Sequence, residues 1–207
     1  MERDYGALPL QELGANAGFR RPTQPQASRV TSGSPALQVM TDLTRVTPAT
    51  IRPQAPLAGA NQFMITRGVR LLLVVDDLEN VLGVITAADL LGERPMLVAT
   101  QRRLRRDELN VADVMTGAEH VEVIALADVE GARVGHVLAT LRRAGRQHAL
   151  VVDHDVLSPA RPLVAPAKRT MVRGIFSISQ IARQLGVALP AGGEVARTFS
   201  EIEAAIR

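Results

Sequence analysis

The feature that most limits how this chain can fold is that it repeats itself. Val39-Met40-Thr41 returns as Val114-Met115-Thr116, Leu73-Val74-Val75-Asp76 as Leu150-Val151-Val152-Asp153, and Gly83-Val84-Ile85-Thr86 as Gly174-Ile175-Phe176-Ser177. The three matches keep their order. Self-similarity of this kind marks a duplicated supersecondary unit.

Apolar spacing predicts the same succession of elements in each copy. Thr50-Ile51 and Val121-Glu122-Val123 read as short strands. A helix follows: Val134, Val137, Leu138 and Leu141 fall at i, i+3, i+4 and i+7, and Leu57, Ala60 and Met64 keep a looser version of that rhythm. Gly68 and Gly145 stand where these helices should stop, glycine being the residue that turns left-handed without strain. The continuous apolar runs Leu71–Val75 and Ala149–Val152 read as strands covered on both faces. A third strand, Val81–Thr86 or Val172–Ser177, then feeds a helix beginning near Ala88 or Ser179. The predicted fold class is α/β: two β-α-β-β-α repeats with small mixed sheets.

The flanking segments divide the chain. Residues 1–35, rich in Gly, Pro, Ser and Gln, are expected to form a flexible tail. The first repeat is assigned to 36–92 and the second to 111–190. Between them, 93–110 reads as a partly helical linker docked on the units, with Arg102, Arg103, Arg105 and Arg106 on a solvated face. The second copy carries an insertion at 155–171 with Pro159, Pro162 and Pro166, expected to be a surface loop at a hairpin tip. In 191–207, Val195, Phe199, Ile202 and Ile206 make an amphipathic terminal helix that could pack on a partner subunit or on the module itself.

Composition narrows the function classes. Aromatic residues are 2% of the 207 and there is no Trp, so the core must be aliphatic and a base-stacking nucleic-acid platform is disfavoured. The formal charge is +3 while the pI is about 10.4, because Lys168 is the only lysine and nearly every base is Arg. The guanidinium fork matches phosphate oxygens. With no Cys, thiolate metal sites and disulfides are excluded. The mixed charge of Met1-Glu2-Arg3-Asp4-Tyr5 does not read as a secretory signal, and the run Leu71–Val75 is far short of the roughly 20 residues of a membrane helix. A cytoplasmic protein with no membrane partner is expected.

The stretch that carries chemistry is Gly83-Val84-Ile85-Thr86-Ala87-Ala88-Asp89-Leu90. It sets Thr86 and Asp89 about one turn apart at a helix mouth, where unpaired N–H groups favour an anion. A carboxylate has four acceptor sites and could take both hydroxyls of a ribose diol. Thr-x-x-Asp is equally a capping pair, with Thr86 as N-cap and Asp89 in the first turn.

The order strand-helix-strand-strand-helix, closed by Gly-apolar-apolar-Thr-x-x-Asp-Leu, resembles the CBS (cystathionine-β-synthase-type) domain. The approach Val39-Met40-Thr41 and the first strand Thr50-Ile51-Arg52-Pro53 are similar to that family too, and the resemblance spans residues 36 to 190. It implies tandem units paired about a pseudo-two-fold axis. It further implies a regulatory role without catalysis, an adenine nucleotide (AMP, ADP, ATP) or S-adenosylmethionine as regulatory ligand in the inter-unit cleft, and no required cofactor. A homodimer and an effector protein acting in trans are expected with it.

Carried onto this sequence, Asp89 would hold the ribose hydroxyls and Thr86 a ribose or phosphate oxygen. Backbone near Thr50 and Ile51 would read the adenine edge. Arg70, placed just before the second strand, is a candidate phosphate partner. A weaker second site would use Val121, His148, Ser177 and Gln180. There the pattern departs: Gln180 stands where the carboxylate should be and replaces charge-assisted bonds with ordinary ones.

His148 and His154 have no evident third metal ligand, so no metal is assigned. The competing reading is a protein- or nucleic-acid-interaction module using the Arg-rich linker, with a vestigial cleft.

Overall fold

A computed structural model describes residues 30–157, 167–187, 199–202 and 204. After a 3-10 turn, Ala36–Val39, the first part of the chain runs through β1 (Thr41–Asp42), β2 (Thr50–Ile51), α1 (Leu57–Arg67), β3 (Leu71–Val75), β4 (Val81–Thr86) and α2 (Ala87–Leu91). A connecting helix α3 (Arg94–Arg102) leads to α4 (Val111–Val114) and β5 (Thr116–Gly117). The second part follows as β6 (Val123–Ala125), α5 (Leu126–Glu130), α6 (Val134–Ala144), β7 (His148–Leu157), β8 (Ala167–Ser177) and α7 (Ile178–Leu185). The duplicated α/β architecture expected from the repeat is what forms.

Two four-stranded mixed sheets result, ordered β2-β3-β4-β5 and β6-β7-β8-β1. In each, the short first strand pairs parallel with the apolar central strand, Thr50 opposite Leu73 and Val123 opposite Leu150. The hairpin partner is antiparallel. Helices α1 and α6 both stop at a left-handed glycine, Gly68 (φ 63°) and Gly145 (φ 62°), as their spacing predicts.

The outer strands are exchanged between the units. β1 precedes the first unit yet pairs with β8 of the second, Thr41 opposite Ile175. β5 precedes the second unit yet pairs with β4 of the first, Thr116 opposite Val84. The linear division into 36–92 and 111–190 therefore does not coincide with the two cores. Burial explains the crossing. Ala36, Val39 and Met40 are buried with Phe176, Ile181 and Leu185 in the second unit. Leu109, Val111 and Val114 are buried with Leu57, Ile85 and Leu90 in the first. Each fully buried Val or Leu contributes about 1.5–3 kcal/mol relative to exposure, more than a two-residue strand could supply through its ladder.

Room for the exchanged strands comes from two matched glycines. A Cβ at Gly83 would fall on the Thr116 carbonyl, and one at Gly174 would lie 2.5 Å from Met40 Sδ. The third core is the seam between the sheets, where Leu71, Leu73, Val75, Val84 and Leu150 are buried together.

Three further expectations are revised. In the inserted segment the ladder continues past Asp155 to Leu157 opposite Ala167, so backbone expected to loop is paired strand, and only 158–166 lies outside the described residues. The prolines at 159, 162 and 166 all fall in that interval, outside the described residues. Of the expected tail, residues 30–35 are docked: Ser34 O accepts from Val134 N at 2.9 Å, Ser32 O from Gly135 N at 2.9 Å, and Gly33 O from Arg133 Nη1 at 2.8 Å. Residues 1–29 lie outside the described set. Of the terminal helix, Phe199 and Ile202 are helical and buried in the second unit's core, where they line a groove with Leu138 and Ala139 of α6. Val195 and Ile206 lie outside the described residues. Among the described residues, no helix is long and apolar enough to cross a membrane.

Candidate functional site

Where the units meet, two clefts open, related by the same pseudo-symmetry as the sheets. One, of about 210 Å³, takes the mouth of α2 (Thr86, Asp89) and Thr116 from the first sheet. Its opposite wall is the strand entrance of the second unit: Val121, Glu122, Arg146, Gln147 and His148. The other, of about 430 Å³, takes Ser177, Gln180 and Thr41 on one side and Pro48, Ala49, Val69 and Arg70 on the other. Each helix mouth thus faces the strand entrance of the other unit.

This crossing regroups the residues expected from sequence. Arg70 lies with Ser177 and Gln180, not with Thr86 and Asp89. Val121 lies with Asp89, not with Gln180. Thr50 and Ile51 line neither cleft: Ile51 packs on the first core, and the wall is made by Thr47, Pro48 and Ala49 just before them. The pairing Thr50–Leu73 and Val123–Leu150 makes Pro48 the counterpart of Val121 and Ala49 that of Glu122, a register the sequence repeat could have supplied. Thr41 and Thr116, inside the repeated Val-Met-Thr, were not singled out from sequence, yet each stands beside a helix mouth. Arg67 and Arg183 were not foreseen either. No motif marks them; one is near the end of α1 and the other on α7.

The Asp89 carboxylate is organised by its own helix. Oδ2 accepts from Thr86 N at 2.9 Å and from Thr86 Oγ1 at 2.7 Å, while Thr86 Oγ1 accepts from Asp89 N at 3.2 Å. This is a complete capping box, so the capping reading holds. Oδ1 keeps its lone pairs apart from Arg94 Nη1 at 3.5 Å. Arg94, from α3, also donates to Thr116 Oγ1 at 3.2 Å and to Met115 O at 2.9 Å, fastening the exchanged strand beside the acid. The Asp89 side chain is 21% exposed, open to the cleft yet fixed in direction.

The Gln180 side differs. Ser177 makes no side-chain cap bond to α7, and Gln180 Oε1 accepts instead from Thr41 Oγ1 at 2.8 Å. Leu71 and His148 hold equivalent places in the two units and both border both clefts. His148 is partly buried. Desolvation, with the Arg70 charge nearby, pushes its imidazole down to about 4, against the pull of Asp89. It is therefore neutral at pH 7. In the first cleft Glu122 faces Arg146 at 3.7 Å.

The linker arginines are largely engaged by the protein itself. Arg102 pairs with Asp113, Arg105 with Asp107, and Arg106 Nη2 donates to Leu90 O at 2.9 Å. That weakens the nucleic-acid reading. Among the described residues, no group of three or more His, Asp or Glu side chains converges as a metal site.

Duplicated units, exchanged edge strands and two pseudo-symmetric clefts define a paired α/β repeat protein with ligand-sized openings at its seam. Residues 38–95 match the family model of the CBS domain. That match lies in the first unit, and the second unit repeats its arrangement of strands. Among solved structures it is similar to an uncharacterized conserved protein from Pyrococcus horikoshii, at 19% identity and TM-score 0.50, covering 79% of this chain and 100% of that one. It is also similar to CBSX2, a CBS-pair protein from Arabidopsis thaliana solved in complex with AMP (19% identity, TM-score 0.46, 74% of this chain and 94% of that one). A third is a CBS domain pair solved with 5-methylthioadenosine and S-adenosyl-L-methionine, at 19% identity and TM-score 0.44 over 71% of this chain and 97% of that one. No curated protein matches the sequence.

Proposed function

We propose that this protein is a non-catalytic regulatory module that takes an adenine nucleoside or nucleotide, of the AMP, ADP, ATP or S-adenosylmethionine class, in its inter-unit clefts. Occupation of a cleft would signal to a separate effector protein, with the module working as a homodimer in the cytoplasm. The observation that carries this reading is the facing of the Thr86–Asp89 helix mouth by Val121, Gln147 and His148 of the other unit.

The chemistry suits a nucleoside. The capping box fixes Asp89 Oδ2 and leaves Oδ1 as an acceptor for ribose hydroxyls. Val84, Leu71, Val121 and Leu150 provide an apolar surface for a base. Because each cleft is walled by both units, a bound molecule touches both. It can then favour one relative arrangement, though only by its difference in affinity between the two states. The match of residues 38–95 to the CBS domain supports the same reading.

The test is a thermal-shift screen of the full chain against AMP, ADP, ATP and S-adenosylmethionine. A ligand that binds only the folded form raises its stability by mass action. The expected result is a concentration-dependent rise in Tm with at least one of the four; no rise with any of them contradicts the proposal.

A further inference from the structure

The pseudo-symmetry that matches the two clefts position by position leaves them unequal in charge. At matched positions Asp89 is replaced by Gln180, Glu122 by Ala49 and Gln147 by Arg70. The smaller cleft therefore carries two carboxylates that each already face a guanidinium, Asp89 with Arg94 at 3.5 Å and Glu122 with Arg146 at 3.7 Å. The larger carries Arg67, Arg70 and Arg183 with no carboxylate in its lining. None of these three arginines is paired with an acid among the described residues. Gln180 adds to the asymmetry: its oxygen is taken by the Thr41 hydroxyl at 2.8 Å, so what remains for a ligand is the amide N–H donors.

We propose that the Gln180 cleft is an oligophosphate site, anchored by Arg67, Arg70 and Arg183, and that the Asp89 cleft takes the uncharged or cationic end of adenosine chemistry. This deepens the sensor reading and rests on its premise that the clefts hold ligands. A diol gives hydrogens and needs acceptors, which the Asp89 cleft offers. Phosphate oxygens need donors and positive charge, which the Gln180 cleft offers. Arginine binds phosphate through two parallel N–H bonds, stronger than bonds between neutral groups. In the other cleft Arg94 and Arg146 already face Asp89 and Glu122, so the arginine charge there is not free for phosphate. The larger opening, about 430 against 210 Å³, also suits the longer ligand. The chemistry recognised is a chain of two or three phosphates, whether free or on a nucleoside.

The experiment is titration calorimetry on the full chain with inorganic tripolyphosphate, ATP and adenosine, using wild type, Arg70→Gln, Arg183→Gln and Asp89→Asn. Tripolyphosphate is expected to bind wild type and to weaken about tenfold in each arginine variant, as a charge-assisted bond gives way to a neutral one. Asp89→Asn should leave its affinity unchanged. ATP should follow the tripolyphosphate pattern more tightly if the ligand is a nucleotide, and no more tightly if it is free polyphosphate. Raising ionic strength on the wild type should weaken tripolyphosphate but not adenosine, a readout that needs no variant. Phosphate binding that survives both arginine changes and falls with Asp89→Asn overturns the proposal. Adenosine bound through Asp89 with no tripolyphosphate binding overturns it while leaving the sensor reading intact; no binding of any of the three overturns both.

Discussion

Thr86 holds Asp89 by a single carboxylate oxygen. Oδ2 accepts from both the backbone and the hydroxyl of Thr86, at 2.9 and 2.7 Å, and leaves Oδ1 directed to Arg94 and the cleft. Helix capping and ligand binding are thus not competing roles for this acid. The cap fixes the direction in which the second oxygen can act.

Thr86→Ala should lower stability by about 1 kcal/mol, the usual cost of losing an N-cap side chain. Thr86→Ser should restore most of it, since the hydroxyl is what the box uses. Urea denaturation of the three proteins checks this. A Thr86→Ser variant no better than Thr86→Ala would mean that methyl packing, not the hydrogen bonds, is what matters.

The two crossing glycines should differ in tolerance. Gly83→Ala meets backbone, the Thr116 carbonyl, and should cost on the order of 2 kcal/mol or more; Gly174→Ala meets the flexible Met40 side chain and should cost less. Comparing the two melting temperatures tests the strand exchange itself. Equal effects would contradict the account of how β5 and β1 are seated.

Leu109 lies in the linker by sequence but in the first unit's core by structure, 1% exposed. Leu109→Ala should destabilise by about 2–5 kcal/mol, as for other buried leucines. Hydrogen exchange should place the loss of protection in β3 and β4. Loss of less than 1 kcal/mol would mean that the linker is not part of that core.

His148 gives the seam a pH dependence. Its folded pKa, about 4, lies below the ordinary value of 6.5, so the unfolded chain binds the proton first as pH falls. Stability tied to neutral His148 is fully present above pH 6.5 and is lost between about 6.5 and 4. His148→Gln should flatten that part of the stability–pH curve by at most a few kcal/mol. Arg70→Gln should raise the midpoint, because the Arg70 charge helps to hold His148 neutral. A curve identical in wild type and His148→Gln contradicts the assignment. Asp42, held well below the usual carboxylate range by Arg173 and Thr44, titrates lower still and does not obscure this window.

The elements of the fold were legible because their signals are local: aliphatic runs for β3 and β7, the i, i+3, i+4 spacing of α6, and a glycine closing each of α1 and α6. The exchange of β1 and β5 was not. A two-residue strand has no periodicity to read, and its partner is chosen by where Val39 and Val114 find a core. The same crossing hid the composition of the clefts. Thr86 with Asp89 and Ser177 with Gln180 were legible as pairs, being contiguous on one turn. Their opposite walls belong to the other repeat, so Arg70 was assigned across the seam from where it lies. Arg94 was invisible for a related reason: only the docking of α3 brings it to Asp89 and Thr116.

The most direct measurement of the central claim is a two-dimensional NMR titration of the full chain with AMP and with S-adenosylmethionine, followed at backbone amides. The account predicts that shifts concentrate at 86–89 with 121–122 and 147–148, or at the matching positions 177–180 with 48–49 and 69–70. Either way they should cross the seam between the units. Shifts confined to one side of that seam or to surfaces away from both clefts, or no shifts at saturating ligand, would contradict it.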